Sequence, residues 1–417
     1  METVNSFLAK ITNKFQRLLL LPTSAQNKVN ILRSLQWSYL YYMETASLPI
    51  AEIIAKHIDS SSYSSFLQLL NLEDTAATRV RVNLPLEDGG GGILPYYDLF
   101  PYLYQRAVSR ANSFLEIKNL PTNLVPQDMP FTNLQAAWKQ LFKLRMTATY
   151  SSDLMLSNRL YLKTASYQHW STVWPTNLYT TLNDEVYKTA MRIRYEQLPT
   201  IDRTCGMTGT NFKTMQAAQF TQHIFSCVQC VRRGAWLRHE QVVTTILKTL
   251  KFYNIIAYIP PSGFLPKPNH HRGGTDLIAN GIVRNWHIDV KVSKSAQGMQ
   301  NLFTSCIRSY EAFEQVYGLI TFPYVMSIYG DIHHQSIQLL EQFVSDMTQQ
   351  DRHSIKAAII SNTQCAVLKG IHQGLMYVGL SISSAEVDMD EEDSSSNTTI
   401  AAGGVTAVPT SSNYVAV

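Results

Sequence analysis

The sequence contains no run of about 18 or more apolar residues, so we expect no membrane-spanning helix. Near its start, the apolar block from Leu18 to Leu21 is too short for the core of a secretion signal, and no small-residue cleavage site follows it. Only 5 cysteines occur in 417 residues, too few for a disulfide-stabilised scaffold. Few cysteines and no export signal favour a reducing intracellular compartment, either nuclear or cytoplasmic.

Length and composition predict several folded regions and one unfolded end. A chain of 417 residues exceeds one ordinary hydrophobic core, which indicates two or three domains. Hydrophobic residues make up 45% and charged residues only 16%, so most of the chain is expected to fold. The segment 381–417 differs, because it is rich in Ser, Thr, Gly and Ala and has no Lys or Arg. We expect this acidic tail to be disordered.

Charge is unevenly distributed along the chain. The formal net charge is +4, with 35 Lys and Arg against 31 Asp and Glu. Six of the acids lie in the acidic tail, so the remainder carries 35 basic against 25 acidic residues, a net charge of +10. A basic body suits a polyanionic partner such as DNA or RNA, although an ordinary soluble surface can carry the same charge.

The first half of the chain has the pattern of helices. Apolar residues recur at helical spacings over 1–80, and the aromatic-rich segment 96–200 is also expected to be helical, with its rings in the core. Between them, Gly89 to Gly92 interrupt any helix. No Gly-Lys-Ser/Thr follows these glycines, which argues against a loop that binds nucleotide phosphates.

From residue 235 the pattern changes to that of an α/β unit. The expected elements are a helix over 235–253, strands over 255–259, 275–279 and 285–293, a helix over 296–317, a strand over 324–328, and helices over 334–348 and 353–378. Asn280-Gly281 is a strong signal for a hairpin between the second and third strands. The expected fold class is α+β or α/β, with a helical N-terminal region followed by an α/β core.

Two aspartates and a lysine in the expected hairpin form the most informative pattern. Asp276 opens one strand, while Asp289 and Lys291 lie two apart on the other, so their side chains leave the same face. Two carboxylates make a hard oxygen site for Mg²⁺ or Mn²⁺, which can lower the pKa of a bound water. A neighbouring lysine can orient that water or neutralise charge on a phosphate. Phosphodiester hydrolysis needs these parts.

The same pattern has a simpler explanation. Asp-x-Lys on a strand is often only a solvated face, and short motifs give many false positives. Here, however, Ile288, Val290 and Val292 fill the alternate positions, so both ionic groups point one way. This alternation is consistent with a site, and on the pattern alone both interpretations stay open.

Polar residues around the pattern could assist it. Glu240, near the start of the preceding helix, could add a third carboxylate on the metal side, although an exposed polar helix start explains it better, as it does Arg238 and His239 taken singly. A DNA phosphate could be bound by basic side chains in the same region. The residues expected to contact nucleic acid are Arg232, Arg233, Arg238, His239 and Arg272.

Three cysteines and a histidine form a second candidate metal site. Cys227 and Cys230 have the C-x-x-C spacing of half a zinc site, and His223 and Cys205 could complete a tetrahedral set. The spacing is irregular, with a single cysteine on the first side. Two ordinary buried thiols explain the C-x-x-C pair almost as well, so both interpretations stay open here.

These residues, in this order, resemble the C-terminal region of the open reading frame of non-LTR retrotransposons that carry a restriction-like endonuclease. The resemblance covers residues 20–350. The matching segments are 29–35 with 39–48, Leu84-Pro85-Leu86 with Gly89 to Gly92, Asp184 with 187–194, Cys205-Gly206, His223 with Cys227, Arg238-His239, and Asp276 with Asp289-Val290-Lys291. The ordered series carries the resemblance rather than any single segment.

The resemblance implies a division of the chain and a function for its parts. It implies a thumb-like helical region over 1–110, a helical linker region over 111–200, a cysteine/histidine cluster over 201–234 and a restriction-like endonuclease domain over 235–380. The last of these has the PD-(D/E)xK core, with Asp276, Asp289 and Lys291 as its centre. DNA is then the expected substrate, and Mg²⁺ or Mn²⁺ the expected cofactor beside a structural Zn²⁺.

The chain also departs from the family pattern. No Asp-Asp dipeptide occurs, so the polymerase palm with its paired aspartates is absent, and a separate reverse-transcriptase chain is a candidate partner. Thr275 stands in place of the proline before the first aspartate, and one cluster ligand is missing near Cys205. The family's later lysine is not found, since Glu311, Glu314 and Gln315 stand there.

The sequence therefore predicts a Mg²⁺-dependent DNA endonuclease without its own polymerase centre. The first alternative is a catalytically degenerate protein that keeps the nuclease fold and serves as a nucleic-acid-binding or scaffold protein. The missing lysine and the irregular cluster favour that alternative. A second alternative is a viral or structural protein whose resemblance to the family is a coincidence.

Overall fold

The computed structural model mixes α-helices with one four-stranded sheet in the part of the chain that it describes. The described residues are 2–86, 90–118, 136–138, 140–141, 170–171, 173–261, 275–294, 296–347 and 352–378. The predicted acidic tail, Arg272 and most of the predicted helical linker between 119 and 169 lie outside them. The mixture of helices and sheet confirms the expected α+β class.

The N-terminal half of the described chain is helical, as expected. Its helices are α1 (Glu2–Leu20), α2 (Ala25–Trp37), α3 (Leu40–Thr45), α4 (Leu48–Leu70), α5 (Ala76–Asn83), α6 (Tyr96–Ile117) and α7 (Asp184–Tyr195). Polar caps start several of them: the side chains of Ser24, Thr75 and Asn183 each accept a hydrogen bond from the N–H three residues later. Such caps satisfy N–H groups that have no partner within the helix.

The glycine-rich turn before α6 is a place of close packing. Arg33 of α2 is buried, and its Nε donates to the carbonyl of Gly91 over 2.8 Å. A Cβ on Gly91 would lie 2.6 Å from the carbonyl oxygen of Val82 and 2.7 Å from the hydroxyl of Tyr195. Glycine is therefore needed at this position for close approach of the backbone, which explains the residue without a bound phosphate.

The C-terminal half has the order of elements that the sequence predicts. It contains α8 (Ala217–Ser226), α9 (Val228–Phe252), β1 (Ala257–Tyr258), β2 (Leu277–Asn280), β3 (Asn285–Ser293), α10 (Ala296–Tyr317), β4 (Leu319–Ser327), α11 (His334–Met347) and α12 (Arg352–Val378). The bounds of β3 and α10 are those expected. None of the described helices combines the length and the apolar character that a membrane crossing requires.

The sheet has the strand order β1-β2-β3-β4, and two helical layers cover it. Strand β2 pairs antiparallel with both β1 and β3, and β4 runs parallel to β3. Ile288 of β3 pairs with Leu277 of β2 on one side and with Phe322 of β4 on the other. These three side chains belong to the main hydrophobic core, together with residues of α9 and α12. On the opposite face, Phe303 of α10 packs with Val325 of β4. Helix α10 thus covers the face from which Asp289 and Lys291 leave β3.

The hairpin between β2 and β3 lies where it was predicted, but it is longer than an Asn-Gly turn. Asn280 pairs with Asn285, which leaves a four-residue loop over 281–284. The N–H of Gly281 donates to the carbonyl of Arg284 over 3.0 Å. A Cβ on Gly281 would lie 2.4 Å from Asp346 Oδ2, so this glycine serves a close contact with α11 rather than a two-residue turn.

The two largest differences between the predicted and the observed bounds have physical reasons. Helix α9 starts at Val228 rather than at 235. Gly234 lies inside it, at a close helix contact where a Cβ on Gly374 of α12 would lie 2.7 Å from the Gly234 Cα. Strand β4 begins at Leu319 and includes Pro323. It tolerates a proline because it is an edge strand, where one side of the backbone needs no partner.

The described residues up to 378 belong to one compact unit, so the N-terminal helices and the sheet region lie in the same packed body. Helix α7 packs against both α2 and α12. Trp170 adds another link, because its Nε1 donates to the carbonyl of Tyr329 over 2.8 Å. Where the predicted functional regions begin and end within this unit stays a prediction.

Candidate active site and metal cluster

The three residues predicted as the cutting centre meet where β2 and β3 pair. Asp276 precedes β2, and its N–H donates to the carbonyl of Ile288 over 3.2 Å. Its Oδ2 accepts a hydrogen bond of 2.7 Å from the N–H of Val290, the residue directly after Asp289. On β3, the ammonium of Lys291 contacts Asp289 Oδ1. Strand pairing therefore gathers two carboxylates and one ammonium on a single face of the sheet.

Asp289 is the most deeply buried member of this group, with 0% of its surface exposed. A buried carboxylate is unfavourable unless it is paired and hydrogen-bonded. Both conditions are met here. The ammonium of Lys291 contacts Oδ1, and the thiol of Cys306 donates to Oδ2 over 2.9 Å. These two contacts hold the carboxylate in one orientation.

Lys291 is a cation that two carboxylates stabilise. Burial on its own lowers the pKa of Lys291, but the charges of Asp289 and Asp276 outweigh burial and hold that pKa above its ordinary value. The side chain is protonated at neutral pH, which suits charge neutralisation and the orientation of water rather than proton abstraction. Its side chain is 26% exposed, so part of it faces solvent.

His239 makes a contact that the sequence did not reveal. It lies on α9, and its Nε2 is 3.0 Å from Asp276 Oδ2. Together with the N–H of Val290, it gives Oδ2 two partners, whereas no hydrogen bond from a described residue reaches Oδ1 of Asp276. A carboxylate held in this way keeps one oxygen for a ligand. The contact of His239 with phosphate that the sequence suggested stays a prediction.

The other predicted residues lie in different surroundings. Arg238 is buried at 7% exposure on α9, and removal from water lowers its pKa to about 10. Glu240 is half-buried on the same helix and pairs with no residue of the described part. Arg232 and Arg233 lie in the second turn of α9, but their side chains fall outside the described part, as does all of Arg272. Their contacts with nucleic acid stay predictions.

Helix α10 supplies residues that the sequence reasoning missed. Cys306 and Tyr310 both face β3: the thiol meets Asp289, and the ring of Tyr310 lies 4.1 Å from the ring of His287. Removal from water raises the pKa of Tyr310, and the negative charge of Asp289 raises it further. The sequence did contain a sign that these two residues act together. They are four residues apart, and residues at that spacing share one face of a helix.

A second group of polar side chains lies at the start of α9. Cys205, His223, Cys227 and Cys230 each offer one ligand atom, and these four atoms all lie within 4.8 Å of one another. His223 is on α8, Cys227 joins α8 to α9, and Cys230 is in the first turn of α9. The four residues that the sequence singled out therefore come together. Cys230 completes a set of three thiols and one imidazole.

The donor types and their spacing fit a tetrahedral metal ion such as zinc. Zinc takes thiolate and imidazole ligands, and Zn–S distances of about 2.3 Å place two thiolates about 3.8 Å apart in a tetrahedron. The sulfurs of Cys205 and Cys227 are 3.6 Å apart, and both are free thiols. Burial on its own raises the pKa of Cys205, but hydrogen bonds with Thr208 and His223 outweigh it and lower that pKa to about 5. The cluster could hold a metal ion.

Helix α9 connects the cluster with the candidate centre. Cys230 lies in its first turn, and His239 lies nine residues later, about 14 Å along the axis of the helix. The helix is fixed between these points by its contact with α12, the most extensive contact between two elements in the described part. The position of His239 against Asp276 therefore depends on the packing of α9 against α12 and on how the start of α9 is held.

Comparison with known proteins adds no family to this geometry. No protein-family model matches the chain, and no curated protein matches it. A functional assignment therefore rests on the groups gathered around Asp276 and Asp289 and on the Cys/His cluster.

Proposed function

We propose that this chain is a metal-dependent DNA endonuclease with a PD-(D/E)xK restriction-like core. One observation carries the proposal. Asp276 accepts a hydrogen bond from the N–H that follows Asp289, and Lys291 contacts Asp289 on the same face. Two carboxylates and a lysine on adjacent strands are the groups that metal-assisted hydrolysis of a phosphodiester requires.

Each residue has a defined task in this proposal. Asp276 and Asp289 would hold Mg²⁺ or Mn²⁺, because hard oxygen ligands suit these ions. Such an ion would supply a water of lowered pKa and charge stabilisation at the attacked phosphate. Lys291 neutralises charge on the phosphate and orients the water. His239 and the N–H of Val290 hold Asp276 by its other oxygen.

The substrate class follows from charge. The chain without its acidic tail is basic, and basic residues lie near the start of α9 and in the segment before β2. These features support DNA as the substrate, with RNA as a further ligand. Because the chain has no Asp-Asp dipeptide, a polymerase step in the same process requires a separate reverse-transcriptase chain.

A second candidate function is favoured by the burial of Asp289. Its surface is 0% exposed, and both of its oxygens already have partners within the protein, Lys291 on Oδ1 and Cys306 on Oδ2. Both features suit a degenerate centre whose fold is kept for binding nucleic acid or for scaffolding. This candidate predicts DNA binding without cleavage.

The two candidates are separated by an assay on supercoiled plasmid. The purified chain is incubated with the plasmid and Mg²⁺ or Mn²⁺, and in parallel with EDTA, and binding is followed by gel shift without metal. The endonuclease proposal predicts nicked and linear plasmid with either metal and none with EDTA. Binding without cleavage selects the second candidate, and neither binding nor cleavage removes both.

The Cys/His cluster is proposed to hold a structural Zn²⁺, which fixes the start of α9. Replacing Cys227 with Ser removes one thiolate ligand and is expected to weaken Zn²⁺ binding by on the order of 100-fold or more. The measurement is zinc content by mass spectrometry, together with the melting temperature. Cys365→Ser is the matched control, since Cys365 is a buried free thiol on α12 outside the cluster. A parent protein that neither contains nor binds zinc contradicts the proposal.

A further inference from the structure

Helix α10 brings a thiol against the deepest carboxylate of the candidate centre. The thiol of Cys306 donates to Asp289 Oδ2 over 2.9 Å, and the two residues are 3% and 0% exposed. Lys291 contacts the other oxygen, Oδ1. The thiol and the ammonium thus contact different oxygens of the carboxylate. The thiol comes from α10, and the ammonium comes from β3, the strand that also carries Asp289.

We propose that Cys306 is a positioning residue whose thiol orients the Asp289 carboxylate for a divalent metal ion. This inference rests on the proposed nuclease function and deepens it. The last torsion of an aspartate side chain is broad and roughly two-fold, so a free carboxylate does not hold one orientation. A donor fixed on Oδ2 removes this freedom and keeps Oδ1 on the side of Lys291. Cys306 itself touches neither the metal nor DNA.

The chemical nature of the donor matters for metal binding. A thiol is a weak and neutral donor, whereas an ammonium or guanidinium on the same oxygen adds a positive charge. A second cation beside Asp289 repels a divalent metal ion at close range. A neutral thiol sets the orientation of the carboxylate and leaves its negative charge for the metal and for Lys291.

The thiol is held in place by contacts on both sides along α10. One turn before Cys306, Phe303 packs with Val325 of β4. One turn after it, the ring of Tyr310 lies 4.1 Å from that of His287, two residues before Asp289 on the same face of β3. These flanking contacts fix the distance of α10 from the sheet and its rotation about its own axis. Loss of a partner that orients a metal ligand in this way commonly lowers metal affinity by roughly 10- to 100-fold.

The test compares variants that keep or lose the donor. Cys306→Ala and Cys306→Val remove it, the second with a volume closer to that of the parent, while Cys306→Ser keeps an O–H donor. Cys365→Ala is the matched control, because it removes a buried thiol from α12. For each full-length chain, Mn²⁺ binding is measured by electron paramagnetic resonance. Plasmid nicking is measured against Mn²⁺ concentration, and the melting temperature is recorded.

The proposal expects a specific pattern. Cys306→Ala or Cys306→Val raises the Mn²⁺ concentration for half-maximal binding and nicking by about 10-fold or more. Cys306→Ser stays near the parent, and so does Cys365→Ala. If Cys306→Ala does not fold, Cys306→Val decides. Unchanged Mn²⁺ dependence in a folded donor-less variant overturns the role of Cys306 while the nuclease stands. A parent that binds no Mn²⁺ and does not nick overturns the nuclease, and this inference with it.

Discussion

Asp289→Asn is expected to lower Mg²⁺-dependent cleavage by on the order of 10³-fold or more, while DNA binding is retained. The substitution keeps the size of the side chain and removes its negative charge. A metal ligand contributes several kcal/mol of charge stabilisation to such a reaction. A change of about 1.36 kcal/mol in the activation free energy changes the rate tenfold. Losing several kcal/mol therefore lowers the cleavage rate by on the order of 10³-fold. The measurement is the single-turnover rate of plasmid nicking, with a gel shift for binding.

The fold should survive this change. Lys291 loses the charge of its nearer partner, but its side chain is 26% exposed, so the ammonium can be hydrated. The matched control is Asp346→Asn, because Asp346 accepts a hydrogen bond of 2.7 Å from Trp286 Nε1 but lies on α11, outside the proposed centre. The control should nick DNA at close to the parent rate. Undiminished nicking by Asp289→Asn would remove Asp289 from the centre.

Gly370→Val is expected to destabilise the fold by about 3 kcal/mol or more. Gly370 lies where α12 crosses α9. A Cβ at this position would lie 2.7 Å from the Cα of Arg238 and 3.0 Å from the carbonyl oxygen of Leu237. Both atoms belong to backbone, so the contact is relieved only if the helices move apart. Such a movement also displaces His239, and nicking should fall together with stability.

Gly370→Ala decides between two opposite expectations. Helix propensity alone predicts that alanine inside a helix stabilises by about 1 kcal/mol relative to glycine. The close helix crossing predicts a loss instead, of about 1 to 3 kcal/mol. Urea unfolding measures the sign. Gln373→Val is the control for a β-branched residue in α12, because Gln373 is exposed and its substitution should have a small effect. A stabilised Gly370→Ala contradicts the close crossing.

The sequence predicted the C-terminal elements well because their local signals were strong. Strand β3 alternates apolar and polar residues over its whole length, and α10 has a regular helical period, so both were bounded correctly. The same alternation placed Asp289 and Lys291 on one face. The Cys/His cluster was also identified from residue type and spacing, although the C-x-x-C pair alone left open whether His223 and Cys205 complete the set.

Contacts that depend on packing between distant elements could not be predicted. The bond of His239 to Asp276 joins a helix to the start of a strand 37 residues later. The contact of Cys306 with Asp289 depends on how α10 rotates over the sheet, which no local pattern fixes. Helix α9 was expected to start at 235 rather than at Val228, and the packing of Gly234 against Gly374 is a tertiary property. The hairpin loop was expected to be a short Asn-Gly turn. The contact of Gly281 with Asp346 of α11 is also a tertiary property that the local sequence does not reveal.

Because α9 is one continuous helix, the residues along it must keep fixed angular positions relative to one another. Cys230, Arg238 and His239 lie on one uninterrupted helix, and each has a different neighbour to meet. Inserting or deleting one residue between Cys230 and His239 rotates the two ends relative to each other by about 100° and shifts them by about 1.5 Å. The imidazole would then leave Asp276 even with every ligand of the cluster intact. The number of residues between Cys230 and His239 is therefore as restricted as their identities.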